Sequence, residues 1–82
     1  MLESLNGSAP RVVGAKQTAR AIANGTAKVV FLAKDADAVV TEPLLEQCKA
    51  AGVAFELVET MQELGKACGI HVGAAVAAII IP

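Results

Sequence analysis

The sequence predicts an α/β domain of three layers. Its elements run β-α-β-α-β-α-β, and its four strands form one mixed or largely parallel sheet with helices on both faces. Three observations carry the prediction. Short apolar runs alternate with segments whose apolar residues fall at helical spacing. Each helical segment is closed by a glycine, in Asn24-Gly25, at Gly52 and at Gly69. The chain has 82 residues and is 55% hydrophobic, with Phe31 and Phe55 as its only aromatics, so it holds one small domain with an aliphatic core.

Each element has its own local reason. Residues 1–10, MLESLNGSAP, read as a tail or a short helix over residues 1–5, and residues 11–82 as the single domain. Residues 11–13 are a short extended piece running into Gly14. Residues 15–23 follow helical spacing until Asn24-Gly25 stops them. KVVFLA, residues 28–33, is nearly continuous in apolar, β-branched and aromatic residues, the mark of a strand covered on both faces. The next helix is expected to start at Thr41-Glu42-Pro43, with Thr41 as its cap and Pro43 in its first turn. Its buried face would be Leu44, Leu45, Cys48 and Ala51. Residues 53–58 read as a strand. Thr60, with Glu63 three residues on, opens a third helix as a capping box. Residues 70–72 form a loop and residues 74–81 the last strand.

Several classes are set aside by composition. No apolar run approaches the ~18 residues of a membrane-spanning helix, and the N-terminus lacks the basic start and apolar middle of a secretory signal. A cytoplasmic protein with no membrane partner is expected. Cys48 and Cys68 form no C-x-x-C pair and read as two small apolar core residues. The net charge is −1, but it is unevenly spread: residues 1–34 carry five bases and one acid, residues 35–82 two bases and seven acids. Such asymmetry points to a polarised surface with one side able to meet an anion.

The chemistry concentrates in GAKQTARAI, residues 14–22. At about 100° per residue, Lys16, Gln17 and Arg20 share one arc of the helix. A lysine at a helix N-terminus opposes the macrodipole and adds nothing to helix stability. The same position, with its free N–H groups, favours a bound anion. Gly14 and Ala15 let a ligand approach the backbone. Lys16 and Arg20 suit phosphates, and Gln17, both donor and acceptor, suits a base edge. Lys34 sits at a strand end that the fold brings towards this helix. Neither a P-loop nor a dinucleotide-binding glycine pattern is present. Asp35 and Asp37 follow a strand, where Mg²⁺ would be held in an open α/β sheet, but with no third carboxylate they read first as turn residues. His71 has no triad partner at recognisable spacing. It lies in the apolar loop GIHVG, which needs either a cover or a task if exposed.

VVGAKQTARAIANGTAKVVFLAKDAD and ELGKACGIHVGAAVAAI together resemble the ribosomal protein L7Ae family, which shares its fold with ribosomal protein L30e. The nearest likeness is to the short bacterial members. The resemblance spans residues 12–79, nearly the whole chain. It implies a single RNA-binding domain that recognises kink-turns, sharply bent elements with tandem sheared G·A pairs and a bulged loop, in ribosomal or regulatory RNA. No catalytic constellation is present, so a non-enzymatic protein with no cofactor and no metal is expected, with a monomer as the default state. By position, Lys16 and Gln17 stand where the family has Asn and Glu, and Arg20 where it has a basic residue. Ile70, His71, Val72, Gly73 and Ala74 match the loop that covers the flipped-out nucleotide. Gln17 can still accept from a guanine amino group, though without charge, while Lys16 adds a cation for phosphate. The absence of exposed aromatic platforms argues against stacking-type RNA binders. Two other readings stand beside this one: a protein-interaction module using the 70–72 loop, and a Mg²⁺-dependent small-ligand domain using Asp35 and Asp37.

Overall fold

The computed structural model describes residues 10–81, so the expected tail or helix over residues 1–5 lies outside the described residues. The chain runs β1 (Arg11–Val13), α1 (Ala15–Ala23), β2 (Ala27–Ala33), α2 (Ala38–Ala51), β3 (Ala54–Val58), α3 (Met61–Ala67) and β4 (Val76–Ile80). That is the element order read from the sequence. The strands lie in the order β1-β4-β2-β3. β2 and β3 are parallel, and β4 is antiparallel to both of its neighbours. The sheet is therefore mixed, with one parallel pairing. α2, with 14 residues, spans ~21 Å and carries the chain back along a whole strand. After the seven-residue α3, β4 begins at the edge where β3 ended and runs the other way.

β2 and β4 are the two central strands and carry the core on both faces. Val29, Phe31, Ala33, Ala77 and Ile79 pack under α3 with Leu64. Val30, Leu32, Val76 and Ala78 pack under the other layer with Ile22, Leu44 and Cys48. Successive strand residues point to opposite faces, so one continuous apolar run feeds two cores. Lys28 escapes this burial through a bulge: Ala27 and Val29 oppose the adjacent Ile80 and Ile79. The extra residue keeps Ala27 on the face of Val30 and leaves Lys28 exposed.

Local chemistry explains the ends of the elements, with corrections to the sequence reading. α2 starts one turn before Thr41. Asp37 is its N-cap, and its Oδ1 accepts from Val39 N at 3.0 Å. Pro43 consequently lies inside the helix, where it withholds the amide that would bond the Val39 carbonyl. Ala51 is exposed, and Leu44 and Cys48 hold the buried face. Thr60 caps α3 as expected, its hydroxyl accepting from Glu63 N at 3.0 Å. Arg11 Nη1 donates to Ala67 O at 3.4 Å, a cation at the negative end of α3. Both cysteines are free thiols. Burial pushes each up from the usual thiol range, and the Arg11 guanidinium offsets part of this for Cys68.

The buried face of α1 is Thr18, Ala21 and Ile22, while Ala15 and Ala23 are exposed. Thr18 is fully buried, and its Oγ1 has no hydrogen-bond partner among the described residues. A buried hydroxyl without a partner costs free energy. Thr18→Val is therefore expected to hold or raise the melting temperature, by up to about 1 kcal/mol in stability. A clear drop in thermal denaturation would show that the hydroxyl is used.

Candidate functional site

β1, β2 and β3 all end at one edge of the sheet, where β4 begins. Three backbone bonds lock that edge. Gly14 N donates to Val76 O at 3.0 Å, Ala33 N to Ala75 O at 2.9 Å, and Lys34 N to Val58 O at 2.7 Å. The start of α1 and the loop before β4 are thus tied to the same central strand.

Gly14 makes the turn from β1 into α1 at φ +104° and ψ 155°, a backbone conformation that side chains disfavour. No side chain caps α1 and no acid occupies its first turn. Helix geometry leaves the N–H groups of residues 15–17 without intrahelical carbonyls. α2 and α3, by contrast, are capped by Asp37 and Thr60. Ala15, Lys16 and Gln17 are exposed around this open end, and Arg20, also exposed, lies in the last turn of α1. Gln17 and Arg20 also flank a cleft of about 230 Å³ floored by Val12, Ala21 and Ile80 and closed by Asn24 and Thr26. The exposed side of α1 therefore offers backbone donors, the Lys16 ammonium and the Gln17 amide at its open start, and a second cation, Arg20, one turn further along.

The loop before β4 divides into an anchored and a presented part. Ile70 packs against the α3-side core, and its N–H donates to Gly65 O at 3.1 Å. Ala74 is buried, and its N–H donates to Met61 O at 3.0 Å. Those two hold the loop down. His71, Val72 and Gly73 face outward, with Val72 70% exposed. They rim an open cleft of about 290 Å³ with Gln62, Lys66 and Ile70. Val72 is thus an exposed apolar side chain presented between two anchored residues.

Lys34 lies on the same edge but not beside α1. β4 intervenes between β1 and β2, which puts two strand spacings, ~10 Å, between Gly14 and the end of β2. Its Nζ reaches instead towards β3 and bonds Glu59 Oε1 at 2.7 Å. Asp35 Oδ1 accepts from Met61 N at 2.7 Å. Asp35 and Asp37 are thus turn and cap residues. Among the described residues no group of three or more His, Cys, Asp or Glu side chains is placed to hold a metal ion.

Sequence reasoning missed two residues of this edge. Glu59 was indistinguishable from any other acid. Gly65 left a signal, since an isolated glycine inside a helical pattern marks close backbone approach. A Cβ on Gly65 would collide with the carbonyl oxygen of Val72. The loop therefore rides directly on α3.

The molecule is a three-layer α/β domain with an uncapped helix start and an exposed loop at one edge of its sheet. The chain belongs to the ribosomal protein L7Ae/L30e/S12e/Gadd45 family, whose profile matches residues 7–82. It is similar to an RNA-binding protein of Caldanaerobacter subterraneus subsp. tengcongensis, 48% identical over 71 residues and covering 87% of each chain. It is also similar to the large ribosomal subunit protein eL8 of Haloquadratum walsbyi, 40% identical over 68 residues, covering 82% of this chain and 57% of the other. Among solved structures, the Giardia lamblia 15.5kD RNA binding protein superposes with a TM-score of 0.87 at 26% identity, covering 99% of this chain and 68% of the other. These relatives are named for RNA binding or for the ribosome, and none for a catalytic activity. No helix among the described residues is long and apolar enough to cross a membrane.

Proposed function

We propose that this protein binds RNA without catalysis and recognises a kink-turn in ribosomal or regulatory RNA. The observation that carries this reading is the pairing, on one locked sheet edge, of the open α1 N-terminus with the presented residues His71, Val72 and Gly73. A kink-turn offers matching features: a widened groove at the sheared G·A pairs and an unstacked base in the bulge. Gln17 reads the base edges, while Lys16, Arg20 and the free N–H groups of residues 15–17 meet phosphate. Val72 gives the unstacked base an apolar surface to pack on. The names of the relatives support RNA as the ligand. Because these groups fit the bent form, binding draws the RNA from its extended to its bent population.

The test is a FRET titration of a doubly labelled kink-turn duplex against a duplex with its G·A pairs disrupted, at two salt concentrations. Saturable bending of the first and not the second is expected. Weak, equal and salt-labile binding to both would leave only a phosphate-binding surface.

A further inference from the structure

We infer that Glu59 sets how much of this protein's RNA binding is sequence-independent: its carboxylate holds the Lys34 ammonium and denies phosphate a contact at the β2–β3 side of the site. The inference rests on RNA being the ligand. Lys34 Nζ lies 2.7 Å from Glu59 Oε1, and both side chains are largely in solvent, 49% and 70% exposed.

The pair is not needed to hold the two strands together. Lys34 N already donates to Val58 O, and the Asp35 side chain already accepts from Met61 N through Oδ1, so other hydrogen bonds flank the pair on both sides. An exposed pair between long side chains contributes little to stability, so removing it leaves the fold intact. Its effect lies in the field it presents. Lys34 stands on the same edge as the α1 corner, ~10 Å away across β4, within the span of one bound nucleic acid. A free ammonium there would add a phosphate contact. Phosphate contacts raise affinity for any sequence equally and carry no readout. With Glu59 in place, that gain is withheld and base contacts from Gln17 make up a larger share of binding.

The experiment compares the native chain, Glu59→Gln, and Glu59→Gln with Lys34→Ala on the kink-turn duplex and on the G·A-disrupted duplex. Glu46→Gln serves as control, since it removes the same charge from another exposed pair, Glu46–Lys49, on α2. Glu59→Gln is expected to tighten both RNAs by roughly three- to tenfold at ~0.1 M salt, and to steepen the log–log salt dependence by about one unit. Adding Lys34→Ala removes that gain, and Lys34→Ala costs less in the native chain than in the Glu59→Gln chain. No gain from Glu59→Gln, a gain matched by Glu46→Gln, or a gain that survives Lys34→Ala overturns the inference. Failure of the kink-turn reading looks different: the native chain then binds both duplexes alike, while the Lys34-dependent gain of Glu59→Gln is still seen.

Discussion

Gln17→Ala weakens binding to a kink-turn duplex by about 1–3 kcal/mol and barely changes binding to a plain duplex, whereas Lys16→Ala weakens both. The contrast follows from the two chemistries at the α1 corner. Gln17 is a neutral amide on an exposed helix end, with nothing to offer a phosphate that the neighbouring cations do not offer better. Its worth lies in a paired donor and acceptor that match a base edge, and losing such a contact costs about that much. Lys16 is a point charge whose loss removes one phosphate contact from any RNA and lowers the salt slope by about one unit. Titrations of both variants against both RNAs, at two salt concentrations, check this. Equal losses on the two duplexes for Gln17→Ala would sink the base-readout role and leave the corner as a phosphate site only.

Gly65→Ala is expected to destabilise the fold by roughly 1–3 kcal/mol, although alanine is the better helix former by about 1 kcal/mol. The opposite signs make the experiment decisive. Gly65 lies within α3 and is buried. The atom its new Cβ would strike is the backbone carbonyl oxygen of Val72, not the tip of a flexible side chain. Relief requires the loop to lift. Because Ile70 and Ala74 hold the loop to α3 and the core, lifting it pulls on both anchors. Thermal denaturation should show a drop of roughly 5–15 °C for a domain of this size. If the loop yields and the fold survives, the loss appears instead as weaker discrimination for the bulged RNA, because Val72 no longer stands where the unstacked base arrives. A variant with full stability and full discrimination would show that the close approach of loop to helix is unimportant.

Much of this protein was legible in residue order. Thr60 with Glu63, Gly52 and Gly69 mark element ends through local backbone chemistry, and each mark held because caps and left-handed turns depend on few neighbours. α2 was read one turn late. Asp37, read from the sequence as a turn residue, is the N-cap, its carboxylate accepting from Val39 N. Lys34 was read as a phosphate contact beside α1. Its neighbour depends on strand order, which local patterns do not encode, and β4 takes the place between β1 and β2.

By itself the sequence determined the seven elements and their order, the aliphatic core, and the open cationic start of α1. Each of these follows from periodicity, capping or side-chain type within a few positions. Tertiary structure decided the rest. β4 runs antiparallel between β1 and β2, which sets the start of α1 and the loop before β4 at the same edge of the sheet. Packing of the loop before β4 against α3 made Gly65 its seat and sorted Ile70 and Ala74 inward from His71 and Val72 outward, and the parallel pairing of β2 with β3 put Glu59 within 2.7 Å of Lys34. All of these are contacts between residues distant in the chain or sorted by packing, and they exist only once strand order is chosen.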